Sequence, residues 1–338
     1  MNDYLSRYAL FLAETLTLVV VIVGLVALAM RMSRRGRGPY RLSIRNVNRR
    51  YDEMANALTA QLEPKRVVKQ RVKADRRRRK AEDRARRAPG GPRKPRMFVL
   101  DFRGDVRATQ ATSLREEVTA LLTIATEQDE VLVRLENAGG LVHDQGFAAS
   151  QLLRVRQRRI PLTVAVDKIA ASGGYMMACV ADRILAAPFA VVGSIGVIAQ
   201  VPNVHRLLDR HGVDVELFKG GEFKRTVTMF GENTDADREK LQEEIHDTHA
   251  LFKEFVAAHR PQVDVAAVGT GEHWYGTRAL ERHLVDELVT SDDYLLNRRG
   301  SADIFEVSCA QRRSARSRLA SLMSGLPDGL LDTRWAYR

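Results

Sequence analysis

Cysteine is nearly absent from this 338-residue chain: Cys179 lies in an apolar segment and Cys309 in a polar one. Two such residues make no disulfide framework, so no covalent staple is expected, and no compartment follows from them. The eight histidines are scattered, and none stands with an acid in a recognisable triad pattern. His246 and His249 are three apart, a helix spacing that could serve a metal, but no third-ligand signature accompanies them and they read as a polar helix face. No internal repeat is visible.

What is present in excess is positive charge, and its location decides its meaning. The formal net charge is +12, and Lys65–Arg96 alone carries sixteen Lys or Arg against Asp75, Glu82 and Asp83. The rest of the chain is therefore close to neutral. At this length and 45% apolar content it can bury a sizeable core as one large domain or two smaller ones. The basic run reads as a solvated linker or as a segment lying on anionic lipid headgroups. Nucleic acid ranks below both, because no aromatics interleave the charges to stack on bases.

Residues Tyr8 to Met30 contain a single charge, Glu14, and Leu16 to Met30 is apolar apart from Thr17 and Gly24. That length suits one membrane-spanning helix. A cleavable signal peptide is the competing reading, but the run ends in Arg31, Arg34, Arg35 and Arg37 rather than in a small-residue cleavage site. Residues 1–38 are thus expected to be a retained anchor in the plasma (inner) membrane. The arginines argue for a cytoplasmic domain. From Tyr40 to about Gln61, the spacing of Leu42, Val47, Tyr51, Met54, Leu58 and Leu62 predicts an amphipathic helix that the basic run could continue until Pro89-Gly90-Gly91-Pro92 stops it. Residues 39–95 are read as this helix and linker.

Beyond Arg96 strand-like and helix-like runs alternate, as an α/β domain with a mainly parallel sheet requires. Strands are expected at Met97–Phe102, Val131–Leu135, Leu162–Val166, Arg183–Ala186 and Val213–Phe218, and helices at Ser113–Ala125, Phe147–Arg158 and about Ala236–Ala258. Strand ends give way to glycine-rich loops, Asn137-Ala138-Gly139-Gly140 and Ala171-Ser172-Gly173-Gly174, at the carboxyl ends where parallel sheets build sites. A serine set between a strand and a helix start, flanked by residues too small to cover it, is placed as a nucleophile, and the helix N-terminus favours a developing oxyanion. The plainer reading is an N-cap serine. A nucleophilic serine needs a base, and in the absence of a histidine a buried, neutral lysine would serve. Lys168, Lys219 and Lys224 are the candidates.

The succession Ala171-Ser172-Gly173-Gly174-Tyr175, Gly193-Ser194-Ile195-Gly196-Val197-Ile198 and Lys219-Gly220-Gly221-Glu222-Phe223-Lys224 resembles the signal peptide peptidase A family of membrane-bound serine proteases, and within it the SohB branch. The likeness extends over Asp101-Phe102, Ser113-Leu114-Arg115-Glu116-Glu117, Val166-Asp167-Lys168, Gly231-Glu232-Asn233-Thr234 and Gly271-Glu272-His273-Trp274-Tyr275-Gly276. The resemblance implies a crotonase/ClpP-like α/β fold with repeated ββα-type units over residues 96–297, followed by a tail over 298–338. It implies Ser172 as nucleophile, Lys224 as general base, Ser194 holding the lysine amine, and the N–H groups of Gly173 and Gly140 as oxyanion hole. Lys168 and Lys219 become structural. The expected reaction is peptide-bond hydrolysis on signal-peptide remnants or other membrane-associated segments, with no cofactor or metal. Rings of subunits with the groove at their interfaces are also implied, while proteases of this kind are assigned to the outer face of the membrane, against the vote of the arginines. One departure stands out: Asn137-Ala138 replaces the Ser-Pro-like dipeptide before the glycine pair, and losing a fixed φ predicts a looser loop and a weaker oxyanion hole. It supports the alternative of a catalytically weak peptide-binding or scaffold protein on the same fold.

Overall fold

The computed structural model describes residues 15–18, 21, 40–87 and 94–311. Most of the apolar run Tyr8–Met30, the Pro89–Pro92 stop and the tail beyond Gln311 lie outside the described residues. Among those described, no helix is long and apolar enough to cross a membrane. Two compact units divide the chain, residues 42–309 forming one and residues 1–41 with 310–338 the other. The first of these carries the candidate site.

The elements run β1 (Tyr40–Asn46), α1 (Val47–Leu62), α2 (Lys65–Arg87), β2 (Arg96–Arg103), α3 (Ala111–Leu122), β3 (Glu130–Glu136), α4 (Val142–Gln157), β4 (Leu162–Val166), β5 (Ile169–Ala171) and α5 (Gly173–Ala178). Then follow β6 (Arg183–Ala186), β7 (Val191–Gly193), α6 (His205–Arg210), α7 (Asp235–His259), α8 (Val265–Val268), β8 (His273–Tyr275), α9 (Gly276–Glu281), β9 (Glu287–Leu288), α10 (Ser291–Arg298) and β10 (Asp303–Gln311). A seven-stranded sheet has the order β1-β10-β2-β3-β4-β6-β9, and a second sheet the order β5-β7-β8. From β10 to β9 the pairings of the large sheet are parallel. In the small sheet β5 runs parallel to β7, and β8 antiparallel to it.

Strand side chains alternate between faces, and here both faces are covered. Phe98, Leu100 and Phe102 of β2, Val131, Val133 and Leu135 of β3 and Leu162, Val164 and Val166 of β4 join a core with Leu114, Val118 and Leu121 of α3 and Leu152 and Val155 of α4. The intervening residues Met97, Val99, Leu132, Ala165 and Leu185 face a smaller cluster with Val47, Tyr294 and Leu295. The result is a three-layer α/β unit whose central strands read as near-continuous apolar runs because neither face meets water. A single Leu152→Ala in this core costs about 2–5 kcal/mol by lost transfer energy and the cavity left behind.

Four expectations need correction. Tyr40–Asn46 is a strand, and the helix starts only at Val47, where the Asn46 side chain accepts the Arg49 N–H at 2.8 Å. The basic run forms its own helix, α2, rather than continuing α1, because Pro64 falls between them. Residues Asp303–Gln311, read as tail, form β10 beside β2, with Ala302, Ile304, Val307 and Cys309 buried. The β10 backbone is held by Asn48, whose Oδ1 accepts the Ile304 N–H at 2.7 Å, and by Glu117, whose carboxylate accepts the Cys309 N–H at 2.7 Å. Burial pushes the Glu117 carboxyl up to about 7. Finally, Val213–Phe218 is no strand: it alternates apolar and acidic residues, but it pairs with no strand among the described residues, and its side chains are exposed.

Candidate active site

At the carboxyl end of β4 the chain leaves the large sheet, passes Asp167 and Lys168, and starts the small sheet as β5. An isolated bridge between Asn137 and Ala170 joins the loop after β3 to β5. Ser172 follows β5 directly and has φ 51° and ψ −119°, a conformation that costs a non-glycine residue about 1–3 kcal/mol. The surroundings enforce it. Its N–H donates to the Gly193 carbonyl at 2.8 Å, and its carbonyl accepts the Met176 N–H at 3.0 Å. Behind it every residue of α5 is buried, and the Tyr175 hydroxyl donates to the Leu284 carbonyl at 3.0 Å. Burial raises the Tyr175 hydroxyl far above its ordinary range, so it stays protonated as a donor. Ser172 itself remains half-exposed at the top of this buried turn.

The loop after β3 comes down on the serine. Gly139, at φ +94°, is so close that a Cβ there would lie 2.8 Å from Ser172 Cβ and 2.9 Å from the Gly173 nitrogen. Gly173 is pressed from the other side, where a Cβ would meet Gln145 Cγ at 2.4 Å. Close approach therefore requires glycine at both places. Among the described residues neither the Gly140 N–H nor the Gly173 N–H has a protein acceptor. Gly173 follows Ser172 in the chain and Gly140 follows the glycine pressed against it, and unpaired donors of this kind are what an oxyanion site needs.

Asn137 overturns the expectation of a loose loop. It is 1% exposed, its N–H donates to the Ile169 carbonyl at 2.8 Å, and its carbonyl accepts the Ala171 N–H at 3.0 Å. Its Oδ1 accepts the Gly139 N–H at 2.9 Å, closing an Asx turn, while Nδ2 donates to Gln145 Oε1 at 2.8 Å. Gln145, fully buried, donates in turn to the Asp105 carbonyl at 3.0 Å. The side-chain amide thus fixes the turn that a proline ring would otherwise fix. Sequence reading missed this pair, although a polar residue ending an apolar strand eight positions before a glutamine was the available signal.

Ser194 directly follows Gly193, the backbone partner of Ser172, at the end of β7. Its φ is 53°, and its N–H donates to the Glu272 carbonyl at 2.6 Å. Lys224 is placed differently. It is exposed in the turn after Gly221, and among the described residues no hydrogen bond or ion pair joins it to Ser172 or Ser194. One neighbour has a fixed point: Phe223 lies under Lys240 of α7 at 4.9 Å. Lys168 is engaged elsewhere, with Nζ 3.2 Å from both carboxylate oxygens of Glu136, and Lys219 is exposed. His246 contacts Gln242, and His249 the Ile195 carbonyl; no metal-holding cluster occurs among the described residues. The structure thus brings together Ser172, Gly173, Gly139 with its neighbour Gly140, and the backbone of Ser194, and among the described residues no hydrogen bond or ion pair joins Lys224 to them.

This chain matches two family models, Peptidase family S49 over residues 154–304 and Peptidase family S49 N-terminal over residues 3–152. The chain belongs to peptidase family S49. It is similar to the protein named Probable protease SohB of Haemophilus influenzae, 46% identical over 327 residues that cover 93% of this chain and 91% of the relative. A protein of the same name from Buchnera aphidicola subsp. Schlechtendalia chinensis is 44% identical over 304 residues, covering 88% of this chain and all of the relative. Among solved structures, a mutant of the 1510-N membrane-bound stomatin-specific protease in complex with a substrate peptide is similar at TM-score 0.42 and 13% identity, over 69% of this chain and 99% of that one. Membership in S49 makes this chain a peptidase relative whose substrate class is peptide or protein, and the SohB resemblance read from its motifs holds.

Proposed function

We propose that the protein is a membrane-anchored serine endopeptidase in which Ser172 attacks the scissile carbonyl and Lys224 acts as general base. The observation that carries this reading is the strained, buried-from-behind turn at Ser172, against which Gly139 is pressed, with the N–H groups of the following residues Gly173 and Gly140 left free among the described residues. In the proposed step neutral Lys224 accepts the hydroxyl proton as the Ser172 oxygen bonds to the carbonyl carbon. The ammonium then gives that proton to the leaving amine, and water resolves the acyl-enzyme by the same relay. The N–H groups of Gly173 and Gly140 hold the oxyanion, each worth about 3 kcal/mol in such sites. Ser194, next to the carbonyl that binds the Ser172 N–H, orients the amine.

The exposed position of Lys224 supports assembly of the dyad between subunits. In the stretch that leads to it Ile198, Val213, Val215, Leu217, Phe218 and Phe223 are all exposed apolar residues, and exposed apolar side chains in such number mark a contact with a partner. We take that partner to be a second copy of the chain, arranged in a closed ring in which the Lys224 segment of one subunit reaches Ser172 of the next. Tyr8–Met30 serves as a single-pass anchor in the plasma membrane, which places signal-peptide remnants and membrane-associated segments within reach. The small residues around Ser172 favour small or apolar side chains at the cleaved position. Labelling by a serine-reactive fluorophosphonate tests the reading: wild-type protein is expected to react and Ser172→Ala is not, whereas an unreactive wild-type assembly would favour a peptide-binding scaffold.

A further inference from the structure

The basic run that forms α2 has an order that composition alone does not reveal. At 3.6 residues per turn, positions 65, 69, 73, 76, 80 and 84 follow one another at steps of four or three and share one line along the helix. Lys65, Lys69, Lys73, Arg76, Lys80 and Arg84 occupy them, and all six are exposed. Arg66 and Arg77, also exposed, flank the line. The stripe is about 29 Å long at 1.5 Å per residue. Elsewhere around the helix Arg71 is exposed on the far face, Val67, Gln70, Ala74 and Ala81 are exposed and uncharged, and Val68, Val72 and Asp75 are half-covered.

A straight line of cations touches a flat surface along its whole length. Nucleic acid fits it less well, because single strands are bound through stacked aromatics, which α2 lacks, and duplexes present their phosphates along curved strands. The apolar side chains next to the stripe, Val68 and Val72, are short and half-covered, so the helix has little to insert into acyl chains and rests on headgroups by charge. We infer that the Lys65–Arg84 stripe docks on the anionic headgroup plane of a lipid bilayer. Docking there also holds the peptidase unit near the surface, since α1, which precedes α2, is fastened to the fold by Asn48 through the Arg299 and Ala302 carbonyls at 2.9 and 3.0 Å. This inference rests on the proposed anchor, which brings the chain to the membrane, and adds what the linker does once there.

The test reconstitutes the full chain into vesicles of phosphatidylcholine alone or with a minority of phosphatidylglycerol, and follows tryptic cleavage within α2 by mass spectrometry relative to Arg158, an exposed site on the peptidase unit. Cleavage at the stripe is expected to be about tenfold slower on the anionic vesicles at low salt, and the protection to vanish at high salt. The triple variant Lys69→Gln, Lys73→Gln, Lys80→Gln, scored at the tryptic sites it leaves, Arg76 and Arg84, should lose it. A control with the same loss of three charges on another face, Gln70→Glu, Ala74→Glu, Ala81→Glu, should keep most of it. Equal loss in both variants would reduce the effect to net charge and overturn the stripe. Equal cleavage on both vesicle types would overturn lipid docking, and so would a duplex oligonucleotide that protects α2 where anionic vesicles do not. Failure of the protein to float with either vesicle would instead sink the anchor on which the inference rests.

Discussion

Ser172 and Lys224 belong to the same compact unit and are held by opposite means. Ser172 ends a strand paired with β7, sits on a helix with every residue buried, and has its backbone clamped from the Gly139 and Gly193 sides. Lys224 stands in a turn within a stretch from Ile198 to Phe230 that has one short helix and a series of exposed apolar side chains. The nucleophile side can be preorganised by the core of a single chain, because buried hydrogen bonds and close packing leave its backbone no alternative. Among the described residues the base side has no such support. An amine that must lose its proton near neutral pH needs burial, and the exposed turn supplies none until something covers it.

The largest expected effects remove one side or the other. Ser172→Ala should lower peptidase activity by about three orders of magnitude or more with the fold intact, and Lys224→Ala should match it, as expected of groups acting as a unit. Near-wild-type turnover in either purified variant would break the assignment. Next comes the scaffold of the serine side. Asn137→Ala strips the acceptor from the Gly139 N–H and the donor from Gln145, and should cost about 1–3 kcal/mol of stability and about ten- to a hundredfold in kcat/KM. Urea unfolding and steady-state kinetics on one preparation would measure both. A loop that were loose to begin with would show neither loss.

Two smaller effects sharpen the contrast. Lys168→Ala should retain activity within about twofold and change stability by no more than about 1 kcal/mol, because it removes only an exposed pair with Glu136. Loss of activity there would move the base to Lys168. The Glu117 carboxyl, buried against β10 and raised to about 7, takes up a proton on folding. Its contribution is therefore fully present below the unfolded value of about 4.3 and is lost as pH rises towards 7. Glu117→Gln keeps an acceptor for the Cys309 N–H and should stabilise the protein by about 1–3 kcal/mol at pH 8 with little effect at pH 4.5, as read from paired unfolding curves. A benefit that does not depend on pH would contradict the burial argument.

The same contrast governs what could be read from the sequence. Leu162–Val166 and Arg183–Ala186 were legible to the residue, because strands buried on both faces are apolar runs with sharp ends. The serine turn was legible as well, since small residues between a strand and a helix admit few readings. The three-residue strands β5, β7 and β8 are too short to show a period, and Val213–Phe218 carries a strand's alternation but pairs with no described strand. At Asn137 the residue type misled: a missing proline suggested looseness, and only the tertiary structure shows the amide meeting Gln145 and Gly139. Local pattern speaks where the chain's own core decides the outcome, and falls silent where the deciding contact comes from elsewhere.

The most direct test of that division is subunit mixing. Ser172→Ala and Lys224→Ala proteins, each inactive alone, are combined under conditions where exchange is demonstrated by a fluorescent label on each. If the serine side is complete in one chain and the lysine comes from its neighbour, random mixing in a ring pairs an intact serine with an intact lysine at about a quarter of the interfaces. Activity should therefore recover to about a quarter of wild type. Mixtures that exchange subunits and stay inactive would confine the dyad to one chain and contradict the account.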